Sequence, residues 1–171
     1  MKKSDKILAH QVLEKDDALR AYIIIFSLIA FLFLSLGVYY ALTTPKVCFG
    51  SSVLSDCVFV EVADSPEELI KGLGGHKPLR SMQGMIFVFS EPGRHDFWMK
   101  DVSFPIDILW VDKDSVVSIV ESAEPCPDNI CEVYKADGIA TFVVELPAGY
   151  VDEHGIKTGD MVSFKEEIIS T

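Results

Sequence analysis

The chain has 171 residues, a formal charge of −11, 49% apolar residues and four cysteines. At roughly 100–200 residues per domain, that is one domain plus an appendage. The acidic balance excludes a basic nucleic-acid footprint, so no nucleic-acid partner is expected; 24% charged beside 49% apolar residues excludes a wholly disordered chain.

Residues 1–20 carry five cations (Lys2, Lys3, Lys6, Lys15 and Arg20) and four acids. From Ala21 to Leu42 run 22 residues without a charge, Asn, Gln or Pro. As a helix at about 1.5 Å per residue this run spans roughly 33 Å, against a hydrocarbon core of about 30 Å. Tyr22, Tyr39 and Tyr40 stand at its ends, where amphipathic rings favour the headgroup level. The run is longer than the apolar region of a signal peptide, about 7–15 residues, and lacks the small-x-small cleavage pattern. Pro45-Lys46-Val47 before Cys48 also lacks the small residue of a lipidation signal. Residues 21–42 are therefore expected to cross a bilayer, with lipid as their partner. The 20 residues after Leu42 hold one cation, Lys46, so the positive-inside bias predicts a cytoplasmic tail over 1–20 and an extracytoplasmic C-terminal part of a single-pass cytoplasmic-membrane protein. That outer part has 10 cations against 22 acids, a charge of −12.

Cys48, Cys57, Cys126 and Cys131 all fall on the outer side, where disulfides form and persist. Four cysteines permit three pairings. Proximity favours Cys48–Cys57 and Cys126–Cys131, the second within the turn-rich Pro125–Cys131. A zinc site is the rival reading, but only the second pair approaches ligand spacing.

Residues 43–56 read as a stalk and 57–171 as the folded domain. Val58–Ala63 has strand character. Ser65-Pro66-Glu67-Glu68 then opens a helix through a Ser-x-x-Glu capping box with Pro at the first position, running to about Leu73 and stopped by Gly74-Gly75. Residues 84–89, 96–100, 106–111, 115–121, 139–146 and 161–165 are short, β-branched and aromatic-rich runs bounded by turn residues, with Asp112-Lys113-Asp114 joining two of them. Residues 148–154 suit a helical turn stopped by Gly155. The expected fold is mainly β, a compact sandwich or small barrel of about seven short strands with one or two short helices, preceded by one transmembrane helix.

The densest chemistry lies in Asp96–Val111. Strand alternation points Phe97, Met99 and Asp101 one way and Trp98 and Lys100 the other. Trp98 beside a cation suits a ligand platform; alternatively Trp98 fills the core and the Lys100 stem packs along it. Asp107 sits among apolar residues, where a charge needs a partner or a raised pKa. It reads either as an acid–base group or as a structural acceptor for the 100–104 corner or for Lys100. Trp98, Lys100, Asp101 and Asp107 are thus the candidate ligand-binding residues. His76, His95 and Asp96 show no metal-ligand spacing, and no nucleophile elbow or phosphate loop is present, so no metal, cofactor or catalytic set is expected.

Val60-Glu61-Val62-Ala63, Pro66-Glu67-Glu68 with Gly72-Leu73, Gly84–Phe89, Phe97-Trp98-Met99-Lys100-Asp101 with Pro105-Ile106-Asp107-Ile108, Glu145–Gly149 and Gly155–Asp160 follow in an order that resembles the domain of unknown function 192 family, over about residues 58–165. The resemblance implies a compact β-dominated domain, often secreted or tethered, with no established activity. His76 departs from the Arg of many relatives, and the Cys126/Cys131 pair resembles one in some relatives.

The leading expectation is a non-catalytic module that binds an envelope component or partner protein. The alternatives are a hydrolase using Asp107 with Lys100 or Asp101, and a scaffold subunit of a membrane complex, although the apolar helix has no Gly-x-x-x-Gly pattern.

Overall fold

A computed structural model describes residues 3–50, 56–126 and 130–165. It forms two compact units, Met1–Thr43 and Thr44–Thr171. The first is helix α1, Lys3–Thr43. Its stretch Tyr22–Tyr40 has a mean hydropathy of 2.4 and none of it is buried, so it is long and apolar enough to cross a membrane. Ser27 and Ser35 do not interrupt it. Their hydroxyls donate to the carbonyls of Ile23 (2.8 Å) and Leu32 (2.9 Å), which satisfies them within the helix.

The second unit is mainly β. Its strands are β1 (Lys46–Phe49), β2 (Asp56–Ala63), β3 (Gln83–Gly93), β4 (Phe97–Trp98), β5 (Ile106–Asp112), β6 (Ser115–Ala123), β7 (Val133–Tyr134), β8 (Ala140–Pro147) and β9 (Val162–Lys165). Seven form one mixed sheet in the order β6-β5-β8-β3-β2-β1-β9, and β4 pairs with β7 in a separate ribbon. The sheet curls until its edges meet. Ser115 bridges to Met161, and the N–H groups of Val116 and Val162 donate to the carbonyls of Asp160 (3.0 Å) and Asp114 (2.7 Å). The small-barrel expectation thus takes the form of a curled sheet closed at one corner, which leaves fewer unpaired edge groups.

The expected stalk requires correction. Residues 46–49 are a strand between β2 and β9, with Val47 and Cys48 fully buried, and the compact unit begins at Thr44. Residues 51–55 of that span lie outside the described residues. Cys48 stands directly opposite Cys57 in the β1–β2 register, and the two are disulfide-bonded, as are Cys126 and Cys131. Pro127–Asn129 of the second loop are likewise outside the described residues.

Helix α2 (Pro66–Lys71) is the crossover between parallel strands β2 and β3. The capping box is formed: the Glu68 N–H donates to the Ser65 hydroxyl (3.4 Å) and the Ser65 N–H to Glu68 Oε2 (3.2 Å). The Ser65 hydroxyl, which donates to Glu68 Oε2 (2.7 Å), and then the Ser65 and Asp64 N–H groups hold the Glu68 carboxyl below the usual range. The helix stops at Gly72 rather than Gly74, because Gly72 takes φ 46° and lies where a Cβ would stand 3.1 Å from the Phe87 ring. Helix α3 (Tyr150–His154) ends at Gly155, φ 63°.

Period-two alternation divides the core between the sheet's faces. Val60, Ile86, Leu109, Val111, Phe142, Val144 and Leu146 fill the concave side with Tyr150 and Val151 of α3. Met85, Phe87, Ile106, Ile108, Trp110 and Val143 form the other face, covered by Leu73 and by Phe97, Met99, Val102 and Phe104 of the β4–β5 segment.

Candidate functional site

The cover on the outer face is held by aromatic rings. Phe97 packs edge-on against Phe87 (centroids 4.8 Å apart) and Trp110 (5.9 Å), His95 stacks on Phe89 (3.5 Å), and the Trp110 indole N–H donates to the His95 carbonyl (2.8 Å). Such pairs contribute about 0.5–1.5 kcal/mol each beyond their burial. Alternation then operates as the sequence suggests. Phe97 and Met99 point in, at 8% and 1% exposure, while Trp98 is 49% exposed and Lys100 lies in solvent. The reading in which Trp98 fills the core is corrected, because Phe97 and Trp110 already occupy that space.

A turn follows, closed by the Val102 N–H to the Met99 carbonyl (3.3 Å), with Asp101 at φ 60°. The Asp101 carbonyl accepts the Gly75 N–H (2.9 Å), which ties the end of α2 to the segment carrying Trp98 and Lys100. Between these two pieces and the sheet lies a cavity of about 420 Å³, within the lower range of small-molecule sites. Its apolar wall is Leu69, Leu73, Phe87, Phe89 and Val102; Trp98, Lys71, Arg94 and Lys100 also line it. None of those three cations is ion-paired among the described residues. Asp96 is the acid among the exposed lining residues, so this region carries an excess of positive charge on a domain of charge −12. Asp101 lies in an adjoining depression with Ile70, Gly74 and Gly75, which Trp98 and Lys100 also border.

Glu145 of β8 lines the same cavity. It is 3% exposed, and its Oε2 has no hydrogen-bond partner among the described residues. Met85 and Ile108 are its neighbours across the sheet. Burial pushes its pKa up to about 8, so the group is a neutral carboxylic acid at neutral pH. An unsatisfied buried polar group costs about 1–3 kcal/mol, which makes this one notable in a site. His95 is a second case: its Nε2 is buried without a partner, and desolvation lowers its pKa against the smaller opposing effect of backbone bonds to Ala140 and Glu91.

Asp107 is elsewhere. It is fully buried on the concave side, its Oδ1 accepting the N–H groups of Ser122 (2.8 Å) and Gly149 (3.1 Å) and its Oδ2 that of Val151 (2.9 Å). Gly149 precedes α3 and has no side chain with which to cap it, so Asp107 supplies the cap from β5. The expectation that Asp107 works with Lys100, Asp101 or the 100–104 corner is thereby corrected: it is a structural acceptor, but its oxygens are occupied by the backbone groups of Ser122, Gly149 and Val151. His76 and His95 are not brought together either; His76 faces Glu61 at 3.4 Å. Sequence reasoning missed Glu145, Lys71 and Arg94. The signal available for Glu145 was a carboxylate directly after Phe142-Val143-Val144 and before Leu146-Pro147.

Two solved structures are similar to the fold of this chain. One is a protein of unknown function from Novosphingobium aromaticivorans, 30% identical, with a TM-score of 0.63 over 69% of this chain and 83% of that one. Another, from Sinorhizobium meliloti, is described as a candidate transcription regulator; it is 25% identical, with a TM-score of 0.64 over 71% of this chain and 95% of that one. No curated protein matches. The model of the DUF192 family, described as an uncharacterised ACR, matches residues 51–164, which include β2 through most of β9 and every residue lining the cavity, and the chain belongs to that family.

Proposed function

We propose that this is a single-pass membrane protein, N-terminus in the cytoplasm, that displays its β domain outside the membrane to bind an envelope component through the cavity beside Trp98 and Lys100. The orientation is supported by five cations ahead of the apolar helix against one in the 20 residues after it and by two disulfides in the domain, which persist in oxidising compartments. The observation that carries the binding role is one place combining a half-exposed Trp98, unpaired cations and the unpartnered Glu145. An exposed indole supplies flat contact area at low entropic cost.

Tagged full-length protein, solubilised with its membrane, is used to capture material from envelope extract, and the bound species are identified by mass spectrometry. We expect at least one species to be retained by wild type and depleted by Trp98→Ala and by Lys100→Ala, with both variants folded by circular dichroism. Capture unchanged by both substitutions removes the cavity from the binding role.

A further inference from the structure

We propose that the cavity takes a small water-soluble amphiphilic anion, an apolar or aromatic body with a carboxylate or phosphate held by Lys71, Arg94 and Lys100 and a hydroxyl or carbonyl seated against Glu145. It rests on the reading of the cavity as a binding site and names the ligand class.

Three observations meet in this class. The wall is apolar, so it gains most from an apolar body, at about 25 cal/mol per Å² removed from water. The exposed lining has an excess of cations on a domain of charge −12, so an anion is attracted here and repelled over most of the remaining surface. A cationic amine would meet Lys71, Arg94 and Lys100 before it reached Glu145. Last, the Glu145 Oε2 is buried and unpartnered beside the cavity. As a neutral acid it can donate one hydrogen bond and accept others, which matches a hydroxyl or carbonyl rather than a second charge. The size argues for a soluble ligand: about 420 Å³ holds a fused ring pair and not a two-chain lipid.

The test uses three probes of one shape: 6-hydroxy-2-naphthoate, 2-naphthoate without the hydroxyl, and 2-naphthol without the anion. Full-length protein in phosphatidylcholine nanodiscs is dialysed against each at pH 6, with empty nanodiscs subtracted. We expect 6-hydroxy-2-naphthoate to bind about tenfold tighter than either partial probe, the effect of one well-made polar contact. Lys71→Gln with Lys100→Gln should weaken both naphthoates about tenfold and leave 2-naphthol within about twofold. Glu145→Leu should reduce 6-hydroxy-2-naphthoate to the affinity of 2-naphthoate. Glu145→Gln, which keeps a donor and an acceptor, should hold it within about threefold of wild type. Equal binding of all three probes overturns the ligand class while leaving the cavity a binding site. Wild-type affinity in Glu145→Leu overturns the contact at Glu145, and retention of none of the probes overturns the proposal. Displacement of 6-hydroxy-2-naphthoate by dihexanoylphosphatidylglycerol but not by excess 2-naphthoate assigns the site to lipid and overturns the soluble class. The capture experiment above reads the broader binding role independently of these probes.

Discussion

Asp107 and Glu145 stand on neighbouring strands one residue out of register, so they face opposite sides of one sheet: Asp107 pairs with Leu146, and Ile108 with Glu145. Both are buried, at 0% and 3% exposure, and their environments differ in kind. Asp107 receives three backbone N–H groups and acts as a brace between β5, β6 and α3. Glu145 has no hydrogen bond to Oε2 among the described residues, and burial pushes its pKa up to about 8. One carboxyl has both oxygens used by the fold, and the other keeps an oxygen that nothing among the described residues satisfies.

Replacement of Asp107 should therefore be expensive. Asp107→Ala strands the buried Val151 N–H, at about 1–3 kcal/mol, and also removes the acceptor of the less buried Ser122 and Gly149 N–H groups, and we expect a loss of at least about 2 kcal/mol in urea unfolding of the full chain in detergent micelles. Asp107→Asn keeps two acceptor lone pairs on one oxygen and should cost less. A loss under about 1 kcal/mol for Asp107→Ala would contradict the bracing role.

Glu145 makes stability depend on pH in a definite direction. Its folded pKa of about 8 lies above the ordinary 4.5, so the folded state holds a proton that the unfolded state releases. The contribution is complete below 4.5, declines across the window to about 8, and is exhausted above it, at about 1.4 kcal/mol per pH unit. Urea midpoints at pH 5 and pH 8 should differ more for wild type than for Glu145→Gln, which has no such proton. Parallel midpoints in the two proteins contradict the assignment.

Much of this architecture was readable because its signals are local. The 22-residue apolar run, the Ser65-x-x-Glu68 box and the alternation of Phe97, Trp98, Met99 and Lys100 each depend on a few adjacent residues. β1 was not readable: Lys46–Phe49 is four residues long, and its partner β9 lies more than a hundred residues away. Nor were the partners of Asp107, which come from 15, 42 and 44 residues distant. Glu145 lies two residues before the end of an apolar strand, where an acid usually reaches water; its burial is decided by the 94–104 segment folding across it, which no local pattern records. Lys71 and Arg94 become neighbours of Lys100 for the same reason.

The turn at Lys100-Asp101 should control how Trp98 is presented. Asp101 occupies φ 60°, a conformation that glycine adopts freely, that Asp tolerates and that a β-branched residue resists. Asp101→Gly should be neutral or slightly stabilising, while Asp101→Val should cost about 1–3 kcal/mol and disturb the Gly75 bond to the Asp101 carbonyl. We expect Asp101→Val, but not Asp101→Gly, to lower retention of the species captured through Trp98, measured with the same tagged protein. Equal retention would mean that the turn does not position the indole.

The disulfides test the placement of the domain as well as its stability. Cys48 and Cys57 close a loop with a sequence separation of 9, and Cys126 and Cys131 one of 5. Chain-entropy arguments give about 2–3 kcal/mol for each, so the two bridges should contribute similarly. The positions differ, however. Cys48 is fully buried between strands β9 and β2, and replacing Cys48 and Cys57 by Ala also opens space in the sheet. That double variant should lose more stability than Cys126→Ala with Cys131→Ala, which both stand outside the main sheet. Non-reducing peptide mapping of protein taken directly from membranes should recover both linked peptides and no thiol labelled by maleimide. Recovery of four alkylated cysteines would contradict both the pairing and the oxidising side of the membrane, because a thiol-rich cytoplasm is where such bridges do not persist.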